Sequence, residues 1–202
     1  LYAVVLAADG DSPLLPPSGD EAADDEADEA KDEDEADDAD EVRVDLEALE
    51  IAREVPSVRV LDAPFEDEHS LEVQLPFLQT VLNKNFGLIP LVVGDAEPEA
   101  VAEVIELLWG GPETLVLISS DLSHYHDYDT ARRLDSATSH AIEQLNPQAI
   151  DYQQACGRTP VNGLLLAARH HQLHARTLDQ RSSGDTAGSR DRVVGYGAYA
   201  FC

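Results

Sequence analysis

Four short blocks of this sequence place ionisable or small polar residues beside apolar segments. They are residues 68–72 (EHSLE), 119–125 (SSDLSHY), 155–160 (ACGRTP) and 182–186 (SSGDT). Burying such groups costs free energy unless they are paired or bind something. Two histidines, an aspartate and a cysteine in these blocks therefore predict the wall of a pocket, and a metal or redox site is the first hypothesis.

The second block combines a carboxylate with a histidine at the end of an apolar run. Residues 114–118 (TLVLI) predict a central strand covered on both faces, and they lead directly into Asp121 and His124. Ligands gather at the carboxyl ends of strands in open parallel sheets. A carboxylate three residues from a histidine can orient the imidazole or share a proton with it. We therefore predict a catalytic role for His124 and Asp121; the alternative is an aspartate that caps a turn beside a structural histidine.

Cys156 stands just before Gly157 and the predicted start of a helix, where Thr159 suits the N-cap and Pro160 the first turn. A helix N-terminus favours the thiolate, the form that binds a metal or attacks an electrophile. Cys156 is therefore a candidate metal ligand, and the alternative is a small residue of the core. Because the chain has only one other cysteine, Cys202, a thiol is favoured over half of a disulfide.

Two further groups of histidines have weaker patterns. His69 follows Glu68 at the start of a helix predicted over 68–82, and a pocket role and a structural one are equally supported. His170 and His174 lie four residues apart on one helix face, a spacing that zinc pairs use. Since no glutamate follows His170 and the segment ends a helix, we interpret this group as a solvated face.

Strands and helices alternate along the chain, which predicts an α/β fold with a mainly parallel sheet flanked by helices. The predicted strands cover residues 2–8, 58–61, 89–93, 114–118 and 193–201. The predicted helices cover residues 46–53, 68–82, 98–109 and 127–145, with another beginning near 159. The block 182–186 is then a loop before the last strand, either a tight turn or an anion site made of backbone amides.

Composition limits the classes of protein to which the chain can belong. It has 202 residues, 43 % of them hydrophobic, which favours a single globular domain over 1–202. Its net charge is −28. The pervasive acidity suggests a surface adapted to high salt. Without a basic stripe, no nucleic-acid partner is expected. Without a signal peptide or an apolar run of about 18 residues, we expect a cytoplasmic protein with no membrane partner.

Two segments deviate from an ordinary globular sequence. Residues 20–41 contain 15 acidic residues and one lysine, a pattern that predicts a disordered acidic insertion ahead of a core over 42–202. The chain begins with Leu1 and contains no methionine. We therefore expect an N-terminal truncation.

The order of the blocks resembles the Memo family, called AmmeMemoRadiSam system protein B in microbes. The resemblance is carried by residues 68–79 (EHSLEVQLPFLQ), 90–96 (PLVVGDA), 119–125 (SSDLSHY), 155–165 (ACGRTPVNGLL), and SSGDTAG followed by VVGYGAYAF, and it extends from 42 to 201. It implies a fold like that of class III extradiol dioxygenases (LigB-like), incomplete at the N-terminus of this chain.

The resemblance also implies a metal site and a set of roles. The family uses two histidines and one cysteine as ligands, and the cysteine falls on Cys156, with Fe or Cu as the metal. His124 matches the acid–base position, with Asp121 beside it. The remaining predicted pocket residues are His69, Ser120, Gly157 and Arg158. The two histidine ligands belong to segments resembling PHAGY and GPSH, which would precede Leu1, so we expect an incomplete metal site.

The functional hypothesis is thus a metal-dependent redox or dioxygenase-like protein, a non-haem oxidoreductase if it is an enzyme. One alternative is a non-enzymatic module that binds a peptide or protein, because mammalian members of the family are associated with phosphotyrosine peptides. Another alternative is an inactive fragment. The resemblance implies radical-SAM or AMMECR-type proteins of the same system as partners, beside an unknown small molecule or peptide.

Overall fold

The computed structural model describes residues 2–6, 42–66, 68–82, 86–186 and 188–202, with residues 2–6 described as backbone only. The predicted acidic insertion over 20–41 lies outside the described residues. None of the helices in these ranges is long and apolar enough to cross a membrane.

Helices begin where the sequence provides local hydrogen-bond acceptors or proline. Asp45 caps α1 (Leu46–Ala52) by accepting a hydrogen bond from the backbone N of Ala48, 2.9 Å away. Asp127 caps α4 (Tyr128–Glu143) in the same way. Proline occupies the first turn of both α2 (Leu75–Val81) and α3 (Pro98–Leu107), where its missing N–H has no cost.

Two of the predicted helices differ from the structure at their N-termini. The helix predicted over 68–82 is helical only in α2, because residues 70–74 form turns before Pro76. Helix α5 (Arg158–His170) begins one residue before the predicted cap, so Gly157 is the N-cap and no side chain caps the helix. Thr159 is therefore inside α5, and its prediction as the cap was wrong.

The strands form two small sheets. The first contains β1 (Tyr2–Leu6), β2 (Arg43–Val44), β3 (Gly87–Leu91) and β4 (Thr114–Leu115), in the order β2-β3-β1-β4. The second contains β5 (His124–His126), β6 (Ala175–Ser182) and β7 (Val193–Phe201), in the order β5-β7-β6. The alternation predicted from the sequence is confirmed as a mixed α/β arrangement.

The prediction of a mainly parallel sheet was wrong for the described strands. Only the pairing of β2 with β3 is parallel, whereas β1 pairs antiparallel with both β3 and β4. In the second sheet β7 pairs antiparallel with β5 and β6. Strands β6 and β7 follow one another along the chain and pair antiparallel, and a strand–helix alternation cannot reveal such a pairing.

Helices α3 and α5 approach each other closely at Gly163. A Cβ atom on Gly163 would lie 2.6 Å from Cγ1 of Val101 and 3.1 Å from the backbone oxygen of Pro98. Ile105 from α3 packs with Leu164 and Ala167 from α5 on this contact. The absence of a side chain at Gly163 thus allows the first turns of α3 to lie close to the middle of α5.

Candidate functional site

Asp121 is the residue that connects the predicted thiol and the predicted imidazole. Its backbone oxygen accepts a hydrogen bond from Sγ of Cys156 at 3.7 Å. Its carboxylate oxygen Oδ2 lies 3.3 Å from Nε2 of His124. Two residues 35 positions apart in the sequence therefore meet at the segment that leads into β5.

The hydroxyl of Ser120 organises the same place. Ser120 Oγ donates to the backbone oxygen of Asp121 at 2.7 Å, accepts from the backbone N of Gly157 at 2.9 Å, and lies 3.6 Å from Cys156 Sγ. We call Ser120, Asp121, His124, Cys156 and Gly157 the thiol site. The structure thus brings five of the predicted site residues together.

The thiol site is open to solvent. The side chain of His124 is 30 % exposed and that of Asp121 is 48 % exposed. Cys156 is also exposed. A small molecule can therefore reach the sulfur and the imidazole, while the hydrogen bonds to Asp121 hold both in place.

A cleft of about 430 Å³ adjoins Cys156. Residues 93–98, which run from the loop after β3 to the first residue of α3, form one wall, and the other consists of Tyr152, Cys156, Arg158 and Thr159. The guanidinium carbon of Arg158 lies 3.6 Å from the centroid of the Tyr152 ring, a cation–π geometry. Arg158 thus lines this cleft, whereas Ser120 and Gly157 are not among its lining residues.

His69 does not join the thiol site through its ring. Its side chain is exposed, and within the described ranges the ring makes no hydrogen bond to Asp121 or His124. The segment that carries His69 approaches the site through Gln74, whose Nε2 donates to Oγ of Ser119 at 3.1 Å. Gln74 therefore links the segment just after the first block to the second block.

A buried carboxylate supports the segment before β5. Asp135 in α4 is 2 % exposed, and its Oδ1 accepts a hydrogen bond from the backbone N of Ser123 at 3.0 Å. Burial raises the pKa of Asp135 above its ordinary value, although the hydrogen bonds from Ser123 act in the opposite direction. A Cβ atom on Gly195 would overlap the Asp135 carboxylate, so this strand position requires glycine.

Asp135 was not identified from the sequence as a residue that supports the site. It shares the buried face of α4 with Ala131 and Thr138, and an aspartate at such a position is the signal that could have identified it.

Next to His124, Tyr125 has a φ of 62°, an uncommon backbone conformation for a residue other than glycine. The backbone around the imidazole is thus held in a specific conformation by its surroundings.

The block 182–186 forms a tight turn. Ser182 and Asp185 make reciprocal hydrogen bonds of a capping box, and the hydroxyl of Tyr128 donates to Oδ1 of Asp185 at 2.5 Å. The hydrogen bond from Tyr128, followed by those from Ser182, holds the pKa of Asp185 below its ordinary value. These contacts favour the structural alternative for this block.

A second cluster lies at the C-terminal ends of α3 and α5. Glu106 Oε1 is 2.9 Å from His170 Nδ1, and Glu106 Oε2 is 2.9 Å from His171 Nε2. Burial opposes ionisation of Glu106, but the hydrogen bonds from the two histidines outweigh it and lower the pKa of Glu106. His170 is 75 % exposed, so its interpretation as part of a solvated face is confirmed, but that interpretation did not include the contact with Glu106. Glu106 is 64 residues away from His170, beyond the reach of a spacing argument.

The described residues do not complete a metal centre of the family type. Over these ranges, Cys156 belongs to no group of three histidine, cysteine, aspartate or glutamate ligands around one position. The group that can hold an ion consists of Glu106, His170 and His171. No histidine precedes His69 in the sequence. With one ligand of the expected three, the residues present do not by themselves fit the Fe or Cu centre.

These observations define a mixed α/β protein in which a thiol, a carboxylate and an imidazole meet at a solvent-accessible loop. A family model described as "Memo-like protein" matches residues 40–200. The chain therefore belongs to the Memo family.

Two archaeal relatives illustrate the similarity. A MEMO1 family protein of Sulfolobus acidocaldarius is 32 % identical over 173 residues, which is 77 % of this chain and 59 % of that protein. One of Saccharolobus solfataricus is 33 % identical over 175 residues, which is 79 % of this chain and 61 % of that protein. The matched region thus spans about three-fifths of these relatives.

Proposed function

We propose that this chain carries the thiol and acid–base part of a metal-dependent redox or dioxygenase-like site with a LigB-like fold. The observation that carries the proposal is the position of Asp121, which hydrogen-bonds both Cys156 and His124. The other metal ligands would come from residues outside the described ranges, in a longer protein or a partner chain. Fe and Cu are the metals proposed, because both accept thiolate and imidazole ligands.

In this proposal His124 holds and moves the proton. The Asp121 carboxylate oxygen Oδ2 lies 3.3 Å from Nε2, so it orients the ring. Nδ1 is then the nitrogen that exchanges a proton with a substrate. Such a positioned acid–base group contributes about 10²–10⁴-fold to a rate.

Cys156 supplies the soft ligand or the nucleophile. It lies one residue before the N-cap of α5, a 13-residue helix whose N-terminus favours a nearby anion. Ser120 and the backbone of Asp121 hold the sulfur beside the cleft. The chain alone thereby offers one anchored sulfur ligand, and its proposed affinity for a soft ion is weak.

Titration with Cu(I) tests this proposal directly. We expect one weakly bound equivalent in Glu106→Gln protein, a background that removes a ligand of the second cluster. Adding Cys156→Ala should weaken binding at least tenfold, whereas the matched control Cys202→Ala removes the other exposed cysteine and should leave it unchanged. Equal binding in both cysteine variants would show that the thiol site does not select the ion.

A peptide-binding role is the second candidate, and the cleft favours it. Arg158, stacked on Tyr152, places one cation among the lining residues, beside Asp95 and Glu97. Calorimetric titration with a phosphotyrosine peptide should give saturable heat that Arg158→Gln abolishes. A flat trace with the unaltered chain would remove this candidate and leave the metal-dependent one.

The proposed partners are proteins of the radical-SAM and AMMECR types. They are proposed from the family resemblance. In this proposal a partner either provides the missing metal ligands of the thiol site or delivers its substrate. Co-purification with tagged candidates, with and without Cys156→Ala, measures such an association. Recovery of the same proteins by an unrelated acidic control protein would contradict it.

A further inference from the structure

We propose that Glu106, His170 and His171 form a second metal site, distinct in its residues from the thiol site, which binds a divalent transition ion of the Zn²⁺ type. One ligand atom of each residue lies within 4.8 Å of the other two. The two imidazole nitrogens each lie 2.9 Å from a different oxygen of one carboxylate. All three side chains therefore converge on one position between α3 and α5. We call them the Glu–His cluster.

The helices place the Glu–His cluster before any ion arrives. Glu106 lies in the last turn of α3, His170 ends α5, and His171 is its C-cap. Helices α3 and α5 are in close contact at Gly163, and at their C-terminal ends Glu106 meets His170 and His171. Ordering ligands in advance reduces the conformational entropy that binding would otherwise cost.

Trp109 fixes one of the two rings. Its indole stacks on the imidazole of His171, with centroids 3.9 Å apart and an interplanar angle of 10°. The stacking restricts rotation of the ring, so Nε2 stays directed at Glu106. A held imidazole is what distinguishes this cluster from an isolated pair of surface histidines.

The donor set selects the class of ion. Two imidazoles and one carboxylate occur in zinc sites that keep a fourth position for water or substrate, with ligand distances of about 2.0–2.2 Å. Ca²⁺ and Mg²⁺ prefer oxygen donors throughout. On binding, the ion would take the place of the protons that now join the ring nitrogens to Glu106, and those protons would leave to the other ring nitrogen or to water.

The cluster is accessible to an ion from solvent. The side chains of His170, Glu106 and His171 are 75 %, 30 % and 28 % exposed. The net charge of −28 also raises the local concentration of cations. The same charge can hold ions nonspecifically, so the test must separate a built site from diffuse attraction.

Zn²⁺ titration of the chain in Cys156→Ala background tests the proposal. Excess Ca²⁺ is present to occupy exposed carboxylates, and Co²⁺ visible absorption reports the coordination. We expect the parent protein to bind one equivalent of Zn²⁺. The variants Glu106→Gln and His170→Ala should each bind Zn²⁺ at least tenfold more weakly. The matched controls are Glu103→Gln, an exposed glutamate on α3, and His174→Ala, an exposed histidine after α5.

The outcomes separate cleanly. Loss of affinity in both cluster variants and in neither control supports the site. Equal Zn²⁺ affinity in the parent protein, Glu106→Gln and His170→Ala overturns the proposed metal site. The cluster would then serve only as a set of hydrogen bonds between α3 and α5. If Glu106→Gln fails to fold by circular dichroism, His170→Ala decides alone, because that side chain is mostly exposed.

Discussion

The sulfur of Cys156 lies 3.7 Å from the backbone oxygen of Asp121, whose carboxylate in turn holds His124. The thiol is thereby coupled to the imidazole through one residue rather than by direct contact. Ser120 supports this arrangement from the side, since its hydroxyl bonds both Asp121 and Gly157. The stability of the thiol site thus depends on a hydroxyl that is not itself proposed to react.

Replacing Ser120 with alanine should destabilise the protein by about 1–2 kcal/mol, because Gly157 N–H loses its acceptor. Urea denaturation measures the change. The control Ser57→Ala alters an exposed serine and should stay within about 0.5 kcal/mol of the parent. The same free energy of unfolding in both variants would contradict the role of Ser120.

Asp135→Asn should stabilise the protein at neutral pH but not in acid. Burial raises the folded-state pKa of Asp135 above the ordinary value of 3.8. A raised folded pKa contributes stability that is fully present below the unfolded pKa and lost as the pH rises through the folded pKa. Asparagine keeps an oxygen for the N–H of Ser123 and carries no charge to desolvate.

The measurement is the melting temperature of Asp135→Asn relative to the parent from pH 4 to pH 7. The difference should grow in favour of the variant as the pH rises. Asp129→Asn, an exposed change in the first turn of the same helix, is the control and should not become more stabilising with pH. If Asp135→Asn were less stable than the parent at pH 7, the hydrogen bonds to the Asp135 carboxylate would outweigh the cost of burying its charge.

Gly163→Ala should destabilise the contact between α3 and α5 by about 1–3 kcal/mol, since the added methyl overlaps Val101. Guanidinium denaturation should show part of the loss restored in Gly163→Ala/Val101→Ala. Gly94→Ala is the matched control, because its Cβ would meet nothing within 4 Å. If Gly94→Ala proved as harmful as Gly163→Ala, the close approach would not be the cause.

Salt should stabilise the chain. A net charge of −28 gives strong self-repulsion, and salt screens it over a Debye length that falls from about 10 Å at 0.1 M to about 3 Å at 1 M. The melting temperature should therefore rise from low to molar NaCl. A neutral osmolyte at the same osmolality provides the control. An equal rise in melting temperature with the osmolyte would remove the electrostatic explanation.

The helices were largely predictable because their starts are encoded within a few residues. Asp45 and Asp127 each bond a backbone N–H three positions on, and proline begins α2 and α3. Strand β7 was predicted from its apolar run and is confirmed over Val193–Phe201. The strands β5 and β6 were missed, since β6 alternates exposed and half-buried polar residues without a clear apolar period.

The direction of the strands was not predictable from the chain. Residues 58–61 were predicted as a strand but form none, and the run 114–118 pairs only over Thr114–Leu115. Pairing depends on which segments meet in space, and an apolar run describes only burial. The mainly parallel sheet was inferred from alternation alone, which explains the error.

The sequence by itself determined the family, the helix starts and the residue types of the thiol site, because these follow from local hydrogen bonding and from the order of short blocks. Only the tertiary structure decided that Asp121 joins Cys156 to His124, that Asp135 supports them, and that Glu106 meets His170 and His171. The physical reason is that these contacts join side chains far apart along the chain, whose distance is set by how the helices and sheets pack.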